Sequence, residues 1–238
     1  MSQDPNELEW KGRTGPFTIL LNPGVFSPTH TSRTIAEALD IGPDDTVIDV
    51  GCGSGVLSFV AARMGAKRVV GCDISEQAVR AAAANAERLG LGDRVEFRAG
   101  SLLEPVRDVR ASVLIGDVSG IPDEIAEVAG WFPDGRAGGP TGAELPVAML
   151  ESIGDTLAPG GRLYLPTGTI QDEQRIIAAA RRVFGDNMEP VVEREFPLPD
   201  IVGKSIAVAR MMKEGLLNLH RRGSRLLWRL QIWRCVRV

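Results

Sequence analysis

Residues 47–55 constrain the fold of this chain most strongly, because they read Val-Ile-Asp-Val-Gly-Cys-Gly-Ser-Gly. An apolar strand that contains Asp49 runs directly into a loop with glycine at every second position. Glycine lets a backbone approach a ligand closely because it has no β-carbon. A helix that starts after such a loop offers free amide N–H groups. The pattern therefore predicts a strand–turn–helix unit whose turn binds a ligand.

A second acid narrows the kind of ligand. The next apolar strand, residues 68–72, is followed directly by Asp73. An acid at the end of the second strand suits the two hydroxyls of a ribose. The dinucleotide fingerprint is not met, because Val56 stands where its third glycine would be, and no Lys-Ser or Lys-Thr follows as in a phosphate-binding loop. The two acids and the glycine loop together predict a nucleoside site.

The Asp-x-Gly-x-Gly-x-Gly pattern with a downstream acid resembles the S-adenosylmethionine (SAM) site of class I SAM-dependent methyltransferases. The resemblance implies SAM as the cofactor. It also implies an α/β, Rossmann-like sheet that is mostly parallel with a final antiparallel strand and has helices on both faces. The residues expected to bind the cofactor are Asp49, Gly51, Cys52, Gly53, Gly55, Asp73, Ile74, Ser101, Leu102 and Asp117.

Strand and helix patterns alternate along the chain, which predicts a parallel sheet covered on both faces. The predicted strands are residues 46–50, 68–72, 95–99, 111–115 and 162–166. The predicted helices are residues 56–64, 76–89, 122–128, 143–157 and 171–184. Two further strands, near 191–196 and 205–209, have no helix between them, so we expect them to form an antiparallel hairpin.

The length of 238 residues fits one catalytic domain with short flanking segments. We expect residues 1–40 to border the active site, residues 41–210 to form the SAM-binding domain and residues 211–238 to be a basic, amphipathic C-terminal extension. Three cysteines without a Cys-x-x-Cys pair indicate neither a disulfide framework nor a metal site. No apolar run is long enough to span a bilayer. We therefore expect a cytoplasmic protein without a metal.

Charge is distributed unevenly. Residues 211–238 hold seven basic residues and one acid, which leaves 20 basic and 30 acidic residues in the rest of the chain. An acidic body makes a nucleic-acid partner an unfavoured prediction. The apolar pattern of the extension fits either a strand or a helix. Its Trp228 and Trp233 predict that it covers the body, forms a homodimer contact or lies over the substrate entrance.

A narrower resemblance is to the HemK-type protein glutamine methyltransferases. It is carried by Asn-Pro-Gly-Val-Phe-Ser-Pro at residues 22–28, by the segments 116–122 and 137–142, and by Leu-Ala-Pro-Gly-Gly at 157–161. The family's Asn-Pro-Pro-Tyr motif is replaced by Asp117, Val118, Ser119 and Gly120. The resemblance therefore implies the fold and the cofactor, but not the glutamine substrate.

Two residues are candidates for catalysis. Asp117 follows the fourth strand and is suited to orient or deprotonate an amine or hydroxyl; the alternative is an acid that caps the next helix or touches SAM. His30 has a side chain that titrates near neutral pH; the alternative is a surface residue beside a helix cap. Trp131 and Phe132 are candidates to line an apolar substrate pocket or to be plain core residues.

The favoured hypothesis from the sequence is a SAM-dependent methyltransferase that acts on nitrogen or oxygen of a small molecule. The acidic body, the altered loop after the fourth strand and the lack of a helical docking domain before residue 40 favour it. The alternatives are a protein methyltransferase that docks its target through the basic tail, a SAM-consuming lyase or cyclase, and a non-catalytic SAM-binding subunit.

Overall fold

The structure, a computed structural model, describes residues 6–131 and 137–238. The strands are β1 (Asn6–Trp10), β2 (Phe17–Leu21), β3 (Thr46–Val50), β4 (Arg68–Asp73), β5 (Val95–Ala99), β6 (Ala111–Gly116), β7 (Leu157–Gly168), β8 (Met188–Pro197), β9 (His220–Arg222) and β10 (Arg225–Val236). The helices are α1 (His30–Ala38), α2 (Val56–Arg63), α3 (Glu76–Arg88), α4 (Asp123–Ala129), α5 (Glu144–Glu151), α6 (Glu173–Phe184), α7 (Asp200–Gly203) and α8 (Ile206–Lys213).

One mixed sheet organises the chain, with strand order β5-β4-β3-β6-β7-β10-β8 and β9 paired to the start of β10. The strands β3 to β7 run parallel, whereas β10 is antiparallel to both of its neighbours, β7 and β8. This confirms the predicted Rossmann-like α/β sheet. Because β3, β4 and β6 are parallel, the ends that carry Asp49, Asp73 and Asp117 meet at one edge of the sheet.

The sheet is covered on both faces, as predicted. On one face α1, α2 and the β1–β2 hairpin bury a core whose largest members include Trp10 and Phe59. On the other face α5 and α6 pack against the strands around Leu114 and Leu163. Asn85 of α3, 1% exposed, holds the hairpin in place: its Oδ1 accepts from the backbone N–H of Leu20, and its Nδ2 donates to the C=O of the same residue. The N-terminal segment is thus part of the packed structure.

The C-terminal residues form an interior strand of the sheet, next to the edge strand β8, and the prediction of an extension outside the catalytic fold is wrong for them. Residues 225–236 form β10, which lies between β7 and β8 and buries Ile232 completely. The helix–strand ambiguity in the sequence resolves as a strand, because both edges of β10 are hydrogen-bonded. Trp233 donates from Nε1 to Oγ1 of Thr167 at 3.0 Å, so it belongs to the sheet's own packing.

Two further elements differ from the prediction. The helix expected over residues 143–157 ends at Glu151, and β7 begins already at Leu157, which pairs with Ala111 of β6. The strand expected near 205–209 is instead helix α8, which Ser205 caps by accepting from the backbone N–H of Val208. The predicted terminal hairpin is therefore wrong, since the antiparallel partner of β8 is β10.

Within residues 6–131 and 137–238, none of the helices has the length and apolar character needed to cross a bilayer.

Candidate functional site

The glycine loop lies against two neighbouring segments at the carboxyl edge of the sheet. The backbone N–H groups of Gly51 and Cys52 both donate to the C=O of Cys72, at 2.8 and 3.0 Å. The N–H of Gly53 donates to Oδ2 of Asp73 at 2.9 Å. The end of β4 therefore fixes the course of the loop that follows β3.

The three loop glycines serve different purposes, although all have positive φ angles. A β-carbon on Gly51 would lie 2.8 Å from the carbonyl oxygen of Asp117, and one on Gly55 would lie 2.7 Å from the ring of Phe59. A β-carbon on Gly53 would meet only backbone oxygens, the nearer at 3.9 Å on Phe26. Gly51 and Gly55 are thus required by packing, whereas contacts with the protein do not exclude a side chain at Gly53.

Both carboxylate oxygens of Asp73 accept hydrogen bonds from the backbone. Its Oδ1 accepts from the backbone N–H of Ser75 at 2.9 Å, while Oδ2 accepts from Gly53. A carboxylate oxygen has more than one acceptor site, so both oxygens retain capacity for the hydroxyls of a ribose. Ile74, the next residue, is 54% exposed and offers an apolar surface for a flat base. These features fit a bound nucleoside such as the adenosine part of SAM.

The loop after β5 contributes Ser101 and Leu102. Leu102 adopts a φ of 49°, which is uncommon for a residue with a side chain. Its carbonyl accepts from the Sγ of Cys72 at 3.1 Å, which ties this loop to the end of β4. Ser101 is exposed beside it.

The two cysteines near the loop have no features of nucleophiles. Cys52 and Cys72 are buried, and burial raises the pKa of the Cys52 thiol well above its usual range and that of Cys72 to about 12. Both are therefore thiols at neutral pH. Across the described part of the chain, no cluster of three His, Cys, Asp or Glu side chains is arranged to hold a metal ion.

Asp49 lies beneath the loop and is fully buried. The hydroxyl of Ser58 donates to its Oδ2 at 2.6 Å, whereas its Oδ1 has no hydrogen-bond partner among the described residues. Burial raises the pKa of Asp49 to about 7, with a further contribution from the negative charges of Asp117 and Asp73, while the Ser58 hydrogen bond opposes the rise. A cationic ligand at this edge would favour the ionised carboxylates.

Asp117 occupies the end of β6, next to the glycine loop. The hydroxyl of Ser32 on α1 donates to its Oδ2 at 3.1 Å. Desolvation raises the pKa of Asp117 to about 6, while the hydrogen bond from Ser32 lowers it. At neutral pH the group is a carboxylate whose proton affinity suits a general base.

His30 is exposed and lies at the first turn of α1. Its ring stacks on Phe196 of β8, with centroids 4.7 Å apart and planes inclined by 20°. Phe196 in turn contacts Trp228 of β10 at 5.5 Å. The ring contact of His30 is therefore with the β8 side of the sheet, and its catalytic role stays a prediction.

The loop after β6 is closely packed against residues 138–142. A β-carbon on Gly138 would lie 2.8 Å from the carbonyl oxygen of Ser119, and one on Gly142 would lie 2.5 Å from that of Gly120. The backbone position of the residues that follow Asp117 is thus fixed. Trp131 packs against the apolar cluster below this loop, which agrees with a core role, and Phe132 lies outside the described residues.

Comparison with known proteins identifies the class of this site. A family model described as ribosomal protein L11 methyltransferase (PrmA) matches residues 14–127. The ribosomal protein L11 methyltransferase of Pelotomaculum thermopropionicum is 33% identical over 214 residues, which cover 88% of this chain and 59% of that protein. The chain belongs to the class I SAM-dependent methyltransferases. It spans about three fifths of the length of this curated relative.

Solved structures share the fold of this methyltransferase. A ribosomal protein L11 methylase from Lactobacillus delbrueckii subsp. bulgaricus has a TM-score of 0.52 at 19% identity, covering 88% of this chain and 82% of that one. A geranyl diphosphate methyltransferase in complex with SAM has a TM-score of 0.54 at 15% identity, covering 86% and 83%. At such identities the likeness concerns the fold. SAM is the cofactor of the class, as the sequence predicted.

Two expectations change with these comparisons. The prediction of a small-molecule partner is wrong, because the family model and the curated relative are both named for methylation of a ribosomal protein. The narrower resemblance to HemK-type enzymes receives no support from them. The class and the cofactor, which the glycine loop and the two acids indicated, are unaffected.

Sequence reasoning missed two residues of the site. Ser32, which contacts Asp117, lies 85 positions before it, and only the Thr29-x-x-Ser32 capping pattern was visible in the sequence. Ser58 lies one turn into α2 and reaches back to Asp49. A hydroxyl on the face of a helix that follows a strand-ending acid is a signal that could have indicated the second contact.

Gly53→Val should abolish measurable SAM binding, because the branched side chain fills the open space above the loop. Gly90→Val is the matched control: Gly90 has a φ of 65° against 51° for Gly53, and nothing lies within 4 Å of its β-carbon position. Both variants carry a similar backbone strain, so both should lose similar stability, roughly 1–2 kcal/mol for each left-handed residue. Titration calorimetry with SAM separates them, and equal affinities would show that Gly53 does not face the cofactor.

Proposed function

We propose that this chain is a protein methyltransferase that transfers the methyl group of SAM to an amine of a ribosomal protein. The observation that carries the proposal is the 33% identity to a ribosomal protein L11 methyltransferase over 88% of this chain, combined with the carboxylate of Asp117 beside the glycine loop. The family model points to the same substrate class.

The cofactor would be held by the carboxyl edge of β3 and β4. Asp73 would accept hydrogen bonds from the ribose hydroxyls, Ile74 and Leu102 would cover the base, and Gly53 would leave room for the rest of the molecule. Bound SAM would supply a methyl group already activated by its sulfonium. The three acids Asp49, Asp73 and Asp117 at one edge give this site a negative potential, which suits a cationic cofactor.

An amine acceptor is favoured by the charge at Asp117. A lysine or N-terminal ammonium must lose a proton before its nitrogen lone pair can attack a methyl carbon, and a carboxylate can attract the cation and then take that proton. With a pKa of about 6, Asp117 is ionised at neutral pH and is a better base than an ordinary aspartate. The donor and acceptor need only be brought into line for transfer.

The direct test of the function uses recombinant ribosomal protein L11 and SAM labelled in its methyl group. We expect the label to appear in L11 and S-adenosylhomocysteine to accumulate in equal amount. Mass spectrometry of L11 peptides should place the added mass of each methyl group on a lysine or on the N-terminal amine. Transfer only to other residues would contradict the amine proposal, and absence of transfer to L11 would contradict the substrate.

Ser32→Ala should move the acid limb of the pH–rate profile to higher pH. The hydrogen bond from Ser32 favours the ionised carboxylate of Asp117, so its removal raises the pKa of this group. Less of the base form is then available at any pH below the new pKa. Thr29→Ala is the control, because Thr29 caps the same helix by accepting from the N–H of Thr31 without contacting Asp117 in any described hydrogen bond. A profile shifted equally in both variants, or in neither, would contradict the role of Ser32.

A further inference from the structure

Residues 198–226, here called the basic cap, join β8 to β10 at the carboxyl edge of the sheet. They comprise α7, α8, β9 and the first residues of β10. Since β10 is antiparallel to β7, the strand β8 ends and β10 begins at the edge where β6 ends, directly before Asp117. The cap therefore stands on the same side of the molecule as the proposed acceptor site.

The cap packs directly against the loop and helix that follow Asp117. Its buried residues Val202, Val208 and Met211 form one apolar cluster with Ile125 of α4, and Ile121 packs against that cluster. Arg210 of α8 forms an ion pair with Glu124 of α4. The backbone N–H of Asn218 donates to the carbonyl of Thr169, just after β7, at 2.9 Å. The cap is thus fixed beside the loop that follows Asp117.

The cap has the opposite charge from the rest of the chain. It holds six basic residues and two acids, a net charge of +4, whereas the remaining residues hold 21 basic and 29 acidic residues, a net charge of −8. The basic residues that follow the cap are paired within the fold: Arg229 with Glu173, Arg234 with Glu189 and Arg237 with Asp155.

The cap itself keeps free positive charge. Arg221, Arg225 and Lys213 are exposed and form no ion pair with any residue of the ranges 6–131 and 137–238. Arg222 and His220 share one partner, Glu195. Three of the six basic residues of the cap are therefore unpaired among the described residues, whereas the other three form ion pairs: Lys204 with Asp200, Arg210 with Glu124 and Arg222 with Glu195.

Two large apolar side chains are exposed on the same cap. Ile201 of α7 is 66% exposed and Ile206, the first residue of α8, is 87% exposed. Exposed isoleucines in the same segment as unpaired arginines fit a surface that binds protein, because protein interfaces combine apolar contacts with enriched arginine. A nucleic-acid surface would more often combine basic residues with exposed aromatic rings, on which bases stack.

We propose that the basic cap is the docking surface for an acidic face of the protein that this enzyme methylates. The inference rests on the proposed function for the identity of the partner as a protein substrate. The charge of the cap selects an acidic face, the two isoleucines favour a protein, and the position beside the loop of Asp117 brings the docked protein to the acceptor site.

The docking variant is Arg221→Glu/Arg225→Glu. The matched control is Lys67→Glu/Arg110→Glu, which makes the same change of charge at exposed residues directly before β4 and β6, on the opposite edge of the sheet. SAM affinity, measured by calorimetry, should be unchanged in both. Binding of fluorescently labelled poly-L-glutamate, measured by anisotropy at several salt concentrations, should weaken about tenfold or more in the docking variant alone.

With L11 as the substrate, the docking variant should raise KM about tenfold with little change of kcat, since rim charges act on encounter rather than on chemistry. Ile201→Ser/Ile206→Ser should also raise KM while leaving poly-L-glutamate binding intact. If the wild-type enzyme does not methylate L11, the proposed substrate fails, but the poly-L-glutamate comparison still tests the cap.

Two results would overturn the proposal. One is equal binding of poly-L-glutamate by the docking variant and the control. The other is much tighter binding of polyuridylate than of poly-L-glutamate by the wild-type protein, which would assign the surface to nucleic acid.

Discussion

The close approach of the loops after β3 and β6 is the contact on which the rest of the site depends. A β-carbon at Gly51 would lie only 2.8 Å from the carbonyl oxygen of Asp117, so this position excludes every side chain. The contact brings the residues proposed to bind the cofactor and the residue proposed to act on the acceptor within one small region. Methyl transfer requires this proximity, because the donor carbon and the acceptor lone pair must be aligned at about 3 Å.

Electrostatics then determines how the acids of the edge behave. Burial raises the pKa of Asp49 and of Asp117 above the usual range of a carboxyl group, and hydroxyl groups from Ser58 and Ser32 partly offset this effect. The two aspartates differ in exposure. Asp49 is completely enclosed beneath the loop, whereas Asp117 keeps part of its surface exposed.

Local signals in the sequence were sufficient to predict the strand and helices around the glycine loop. The apolar run before Asp49, the alternating glycines and the cap at Ser75 are short-range patterns, and the structure has β3, α2 and α3 within one residue of the predicted ends. The C-terminal third was harder to predict. The residues of β10 fit both a strand and a helix, and only pairing with β7 and β8, which are distant in sequence, decides between them.

The surroundings of Asp117 also depend on contacts between residues far apart in the chain. Ser32 reaches Asp117 across 85 positions, and the cap closes over α4 only after β8 has been placed. Neither contact has a local signature. The substrate class could not be derived from the acidic composition of the body either, since the overall charge hides the net positive charge of residues 198–226.

The proposed mechanism requires that Asp117 acts on the acceptor and not on the cofactor. The kinetics of Asp117→Asn test it most directly, because asparagine keeps the size of the side chain and an oxygen that accepts from Ser32, but cannot take a proton. For Asp117→Asn we expect a loss of about 10²–10⁴-fold in kcat for methylation of L11, with SAM affinity within about threefold of wild type. Asp123→Asn, a change of the same kind at the start of α4, should leave kcat nearly unchanged. Normal turnover in Asp117→Asn, or a parallel loss of SAM binding and turnover, would contradict this role of Asp117.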